Sequence, residues 1–376
     1  YLSFAYNGSK ITELRGLCMQ ENSKQIYFAS ANAARGFVSY FERCFADARI
    51  SRLYMIKGGP GTGKSRFIGD VATEAARLGW HAEYYACSSD PGSLDGVILT
   101  HPRHGCIALA DSTAPHVMEP TLPGVRDVIV NLGDFWDREK LAKHAARIRT
   151  LMGYKQACFD RSYAYLSAAG KMLTARDSLI APCVDGDKIT RLAAKISRLY
   201  PKGRDFDERI GLSDSIGMRG RVHFDTYERA ADRLVVLSPF YGVEYTLMDA
   251  LYRMAKERGC AVRRAPHVLF SEKTATLYFP DNRLCITASE VQNTAGKDVQ
   301  RIDLRRVCDP DALRGVRGEA RLAEKLADSA IDAAADSFAR AGEYHFELES
   351  IYTAAMDFDA KERFTAAFCN SILQNP

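Results

Sequence analysis

Apolar residues fall in short runs separated by polar, turn-forming segments, the rhythm of buried strands alternating with amphipathic helices. Leu53-Tyr54-Met55-Ile56 and Leu234-Val235-Val236-Leu237 are continuous apolar runs of strand length. His81 to Ala86 alternates and carries two tyrosines, as a half-buried strand does. Ile107-Ala108-Leu109-Ala110 and Val128-Ile129-Val130-Asn131-Leu132 add two further strands. Between Leu53–Ile56 and His81–Ala86 the period changes. Phe67, Ile68, Val71, Ala75 and Leu78 share one face of a helix that stops at Gly79. From about Asp137 to Tyr200 the pattern is helical, with Leu141, Ala145, Ile148, Leu151 and Met152 on one face and Tyr163, Leu166, Ala169 and Leu173 on another. A break at Ala181-Pro182-Cys183-Val184-Asp185-Gly186 predicts a long helical hairpin. Asp311 to Leu373 is Ala-rich and helical too. Strands alternating with helices predict an α/β fold with mainly parallel sheets.

The pattern is written twice. Leu234 follows Leu53 by 181 positions (234 − 53), and the same offset sets Gly242 on Gly61 and Thr246 on Ser65. Arg35-Gly36-Phe37-Val38 is echoed by Arg219-Gly220-Arg221-Val222, and Cys106-Ile107-Ala108-Leu109-Ala110 by Leu284-Cys285-Ile286-Thr287-Ala288. Ala168-Ala169-Gly170 has its counterpart in Arg340-Ala341-Gly342. A tandem duplication follows, with halves meeting near Pro201-Lys202-Gly203. It predicts two three-layer αβα domains, 1–203 and 204–376, each closing in a helical hairpin.

The first copy carries chemistry. Gly58-Gly59-Pro60-Gly61-Thr62-Gly63-Lys64-Ser65 lies between a strand and a helix, where successive backbone N–H groups converge on one anion. The glycines permit positive φ and leave no side chain between backbone and phosphate. Lys64 would reach the β- and γ-phosphates, Ser65 would hold Mg2+, and the amide of Arg66 extends the cradle into the helix. This motif predicts a nucleoside triphosphate site. At the 181-residue offset the second copy has Tyr245 for Lys64, Glu244 for Gly63 and Pro239 for Gly58, so triphosphate binding there should be poor.

Ligands of an open parallel sheet lie beyond the carboxyl ends of its strands. The polar segment Cys87 to Gly96 should therefore face the γ-phosphate, with Asp90 the first candidate acceptor of a hydroxyl proton and Asp95 the second. Asp90 equally suits an Asp-Pro-Gly turn, and Asp95 a helix cap. Asp111 ends a buried strand, the pattern of a second magnesium ligand. Ser112-Thr113-Ala114-Pro115-His116 follows it without the Asp-Glu pair of motor ATPases. His116 reads as a loop histidine, with phosphate contact or proton transfer as alternatives, and Asp134 and Trp136 as cleft or packing residues. Arg103, Arg126 and Arg138 are the arginines available to a transition state.

Composition narrows the setting. The chain of 376 residues has a net charge of +4, too weak alone to argue for nucleic acid. Basic residues from Arg138 to Lys155 read as a solvated helix face. Ten cysteines without CxxC spacing read as reduced, mostly buried thiols, which with the lack of an apolar span predicts a cytoplasmic protein without a membrane partner.

On the loop and Asp111 the chain resembles the P-loop nucleoside triphosphatases. Segments 58–65, 87–96, 111–116 and 131–136 give it a narrower similarity to an uncharacterised group of bacterial tandem P-loop ATPase-like proteins. The resemblance spans nearly the whole chain and implies two P-loop-type domains, ATP and Mg2+ as cofactors, and hydrolysis. In that group the second half commonly keeps its own phosphate loop, and this sequence departs there. Three functions stay open: an ATPase or phosphotransferase working from the first half on an unidentified acceptor or protein, a non-hydrolysing nucleotide sensor, and a nucleic-acid-stimulated ATPase. The paired helices offer a lid, a homodimer contact or a partner-binding arm. No Asn-Lys-x-Asp guanine-reading motif occurs, which favours ATP over GTP.

Overall fold

The computed structural model describes residues 25–289, 291 and 294–373. The first half runs β1 (Gln25–Phe28), a hairpin of β2 (Ser30–Ala33) and β3 (Gly36–Ser39), α1 (Phe41–Phe45), β4 (Arg52–Lys57), α2 (Lys64–Arg77), β5 (His81–Ala86), β6 (Leu94–His101), β7 (Gly105–Asp111) and β8 (Asp127–Asn131). Helices α3 (Arg138–Lys143), α4 (Ala145–Ile180) and α5 (Gly186–Ile196) follow. The second half repeats the order: β9 (Asp207–Ile210), the hairpin β10 (Asp214–Gly217) and β11 (Gly220–His223), α6 (Thr226–Ala230), β12 (Arg233–Leu237), α7 (Val243–Glu257), β13 (Ala261–Pro266), β14 (Thr274–Phe279), β15 (Leu284–Thr287) and β16 (Asp298–Ile302). It ends in α8 (Pro310–Thr353) and α9 (Phe358–Leu373).

The two six-stranded sheets have matching orders, β1-β5-β6-β7-β4-β8 and β9-β13-β14-β15-β12-β16. Their pairings agree in sense, each sheet having one reversed strand, β6 or β14. Even the irregularity repeats: register shifts after Tyr85 in one sheet and after Ala265, 180 positions later (265 − 85), in the other. Strands β4 and β12, each flanked by a strand on either side, are buried on both faces, which is why they read as unbroken apolar runs.

Strand β6 was not legible, because segment 87–96 reads locally as one long turn. Pairing with β5 and β7 on both sides draws Leu94 onward into the sheet, where tertiary context outweighs turn propensity. Gly96 permits this: a Cβ there would collide with the Phe45 ring and meet the Leu109 carbonyl at 3.0 Å.

The helices also differ from the expected hairpins and layers. The break at 181–186 is present as a short 3-10 turn, yet α4 does not fold back on itself. It pairs antiparallel with α8 of the other half: Ser162 Oγ donates to Ala334 O at 3.1 Å and Ser337 Oγ to Cys158 O at 3.0 Å. Leu166, Ala169, Ile331, Ala334 and Phe338 are fully or nearly buried along this seam. Terminal helices are exchanged. Helix α9 lays Phe364 and Phe368 against Phe67 of α2, while α5 buries Ile189, Leu192 and Ile196 beside Leu247 and Leu251 of α7. Each exchanged helix is tied down by backbone bonds, Asp137 N to Ala355 O at 2.8 Å in one case and Asp185 N to Val307 O at 2.8 Å in the other.

Each sheet thus carries long helices on one face only. The other face joins a core common to both halves, containing Phe28, Phe41, Phe45 and Met55 with Leu212, Tyr227, Leu234 and Val236. Phe28 and Leu212 exchange backbone hydrogen bonds of 2.9 and 3.0 Å across it.

The hairpin β10–β11 contains a pH-sensitive contact. His223 Nδ1 lies 2.8 Å from Asp214 Oδ1, and Nε2 lies 3.7 Å from Glu228. Burial alone would lower its pKa, but the Asp214 hydrogen bond and the Asp214, Glu228 and Asp225 charges raise it to about 9. A histidine held above its unfolded value contributes stability that is complete below about pH 6.5 and is lost as pH rises through the folded value. His223→Gln should therefore lower the melting temperature at pH 6 and match wild type near pH 10. A constant difference across that range would refute the assignment.

Candidate functional site

Strand β4 delivers the glycine-rich loop and α2 opens directly behind it, as the motif requires. Gly58, Gly61 and Gly63 have φ of 143°, 71° and 73°, values that only glycine adopts without strain. Thr62 is fully buried and its hydroxyl donates to Gly59 O at 2.9 Å, closing the loop on itself. Pro60 and Gly61 form the partly exposed tip. Lys64 Nζ donates to Gly58 O at 2.9 Å and Gly59 O at 3.1 Å, so its ammonium arches back over the loop. It also lies 3.7 Å from Asp111 Oδ2. Arg66 is exposed, 3.9 Å from Asp70 and from Glu362 of α9.

The acids separate into two kinds. Asp90 closes a turn: it accepts from Gly92 N at 3.2 Å and from Ser93 Oγ at 3.0 Å, with Arg219 at 3.6 Å. The turn reading of Asp90 is the one observed. Asp95 is no helix cap. It precedes Gly96, whose partner on β7 is Ala110, so Asp95 and Asp111 lie side by side across the strands. Ser65 is adjacent, its hydroxyl accepting from Leu94 N at 2.8 Å. Asp111 itself accepts from Thr113 N at 2.9 Å and Thr113 Oγ1 at 2.6 Å.

Asp95 is buried, and one carboxylate oxygen lacks a hydrogen-bond donor. Burial first, and then the neighbouring Asp111 charge, push its pKa well above the usual carboxylate range, against the Cys87 hydrogen bond and Lys64. His116 Nε2 sits 3.3 Å from that oxygen without hydrogen-bond geometry, sandwiched against Phe41 at a ring separation of 4.6 Å. Desolvation lowers the His116 pKa to about 4, so the ring is neutral at physiological pH. Ser65, Asp95 and Asp111 offer the hard oxygens that suit Mg2+, and the orphaned Asp95 oxygen is what a cation would satisfy. Cys87, Asp95 and His116 also bring one donor atom each within 4.8 Å of one another.

Trp136 packs on the loop: a Cβ on Gly59 would meet its ring at 3.0 Å. Asp134 is exposed and accepts from Asn131 Nδ2 at 2.7 Å, away from the loop's interior. Two of the three candidate arginines are misplaced. Arg103 lies in the turn entering β7 and Arg126 immediately before β8, and both strands run parallel to β4, so both residues are at the opposite end of the sheet. Arg126 is committed to Asp127 at 2.6 Å. Arg138 is at the correct end and exposed.

Sequence reasoning missed the residues brought from elsewhere. A Cβ on Gly61 would meet Glu349 O at 2.7 Å and Thr353 Oγ1 at 2.9 Å, so the end of α8 rests on the loop tip. Arg219, at the β10–β11 turn, reaches Asp90 while Met218 N donates to Ser89 O at 2.9 Å. Lys155 of α4 and His345 of α8 are close enough to Lys64 and Glu349 to feel their charges. No local signal marks Glu349, Thr353, Arg219 and His345, which come from the other half, whereas Lys155, read from the sequence as part of a solvated helix face, is instead partly buried.

The second copy shows how such a site is lost. Gly242 has φ of 84° and presses on Arg176 and Asp177, as Gly61 presses on Glu349. Asp177 and Glu349 stand 172 positions apart (349 − 177), as do Gly170 and Gly342 (342 − 170), so the Gly61–Gly242 match holds. The helix behind it shifts by one. Buried Phe67, Ile68, Val71 and Ala75 correspond to Leu247, Met248, Leu251 and Ala255 at an offset of 180 (247 − 67). Lys64 therefore falls on Glu244, not Tyr245, and Ser65 on Tyr245. Glu244 is buried and accepts from Phe240 N at 2.8 Å, so a carboxylate of the chain occupies the loop amide. In the paired strands Asp95 falls on Ala275 and Asp111 on Ala288, removing both acids.

The nine described cysteines are unpaired, seven of them buried, and no helix among the described residues is long and apolar enough to cross a membrane. No family of known proteins, no curated protein and no solved structure matches the chain.

Proposed function

We propose that the first half binds a nucleoside triphosphate with Mg2+ at residues 58–65 and hydrolyses it, and that the second half is a non-catalytic counterpart that frames the site. The observation carrying this reading is the joint geometry of the loop: three positive-φ glycines, a lysine folded over the loop carbonyls, and Asp111 3.7 Å from its ammonium. Converging amides and one ammonium make an anion cradle at the start of a 14-residue helix. Bound Mg2+, held by Ser65, Asp111 and Asp95, would neutralise charge between the β- and γ-phosphates. Lys64 would orient the terminal phosphate, and Trp136 and the end of α8 would keep water from the loop's outer side. Asp95 next to a cation would favour its ionised form and could then orient an attacking water.

Hydrolysis is preferred to transfer onto an alcohol because Asp90, the first candidate acceptor of a hydroxyl proton, is tied into its own turn, and Asp95, the second, is buried beside Asp111. The test is inorganic phosphate release from Mg-ATP under steady state without an acceptor. Continuous release is the expected outcome. Nucleotide binding with no turnover would instead favour a sensor that reports occupancy through the contact of α8 with Gly61, and failure to bind any nucleotide would overturn the assignment.

A further inference from the structure

The last helix places a second cation beside the phosphate loop. Lys361, in the first turn of α9, is only 1% exposed, one of the largest fully buried side chains of the described residues. A Cβ built on Gly63 would lie 3.4 Å from its ammonium and 3.9 Å from the Phe358 ring. The charges acting on it are Asp70, Arg66 and Glu362, and among the described residues none of these acids is within ion-pairing distance. An ammonium removed from water without a counter-ion is costly, and burial pulls its pKa down. Such a group is tolerated where an anion arrives to complete it.

Gly63 is the residue from which α2 starts, the part of such a loop whose amides cradle the α- and β-phosphates. We propose that Lys361 binds the α/β end of the nucleotide's polyphosphate, while Lys64 serves the β/γ end. This inference rests on the phosphate-loop assignment and adds that the site is completed by the chain's last helix, which comes from the half without a working loop. Its ligand class is any nucleoside di- or triphosphate.

The experiment is calorimetric titration of wild type, Lys361→Met and Lys361→Arg with Mg-ADP and Mg-ATP, beside thermal melts of the nucleotide-free proteins. Lys361→Met should weaken both nucleotides by a similar factor, about ten-fold or more, and Lys361→Arg should recover most of the loss. Without nucleotide, Lys361→Met should melt at a higher temperature than wild type, because an uncompensated buried charge is replaced by an apolar side chain of similar length. A structural lysine gives the opposite sign in the melt. Unchanged affinity in a folded Lys361→Met protein overturns the proposal and leaves the loop assignment standing, whereas wild type that binds neither nucleotide overturns both.

Discussion

Lys64→Ala should reduce Mg-ATP turnover at least about 100-fold, the scale of losing one preorganised charge at a phosphoryl-transfer site. The reason is local. The ammonium is already drawn over Gly58 and Gly59 and faces Asp111, so no other side chain of the loop can replace it. The matching change in the second copy is Glu244→Gln, because the one-residue shift in the helix register puts Glu244 at the lysine's position. That variant keeps an acceptor for the Phe240 amide and should leave turnover within about two-fold of wild type, with folding little affected. Steady-state kinetics on both purified variants decide the matter. Comparable loss from the two substitutions would mean that both loops act, and the division into a working and a silent half would be abandoned.

Separating the chain at 203/204 should leave neither fragment able to fold alone. The first fragment would lose α9 and so expose Phe67, Tyr54 and Ile56 on one face of its sheet. On the other face it would lose the core shared with Leu212, Tyr227 and Leu234, and α4 would lose its antiparallel partner. Burying one large apolar side chain is worth roughly 1.5–3 kcal/mol, so several together exceed the 5–15 kcal/mol by which a typical domain is stable. Circular dichroism of the separate fragments should show no cooperative melt, and co-expression of the two should restore one. A monomeric, cooperatively melting fragment 1–203 would show that the exchange is dispensable.

The loop, its strand and its helix were legible because their signals are local: glycines where positive φ is needed, an apolar run of strand length before them, and a 3.6-residue period after them. The duplication was legible for the same reason, since turn glycines such as Gly36 and Gly220, both at positive φ, survive where side chains diverge. Strand β6 was not, because its first residues carry turn chemistry and only flanking strands make them extended. Local pattern also left Asp90 and Asp95 undivided. The hydrogen bonds of one and the cross-strand neighbour of the other separated them.

What the amino-acid order determined by itself is a glycine-rich strand–loop–helix with one lysine and two acids in one copy and not in the other, because backbone freedom and side-chain identity are properties of particular positions. What only the tertiary structure decided is which other residues stand at that loop. Helix α4 could have folded on its own successor, but Leu166, Ala169 and Ser162 of α4 meet Ile331, Ala334 and Phe338 of α8, and long helices satisfy an apolar seam best with a partner of equal length. That pairing carries α9 onto the first sheet and α5 onto the second, bringing Thr353 and Lys361 to a loop 292 or more positions earlier in the chain, while Arg219 of the β10–β11 turn reaches Asp90 beside it. Contacts between positions so far apart leave no periodicity to read, since each partner's pattern records only that a face is buried and not against what.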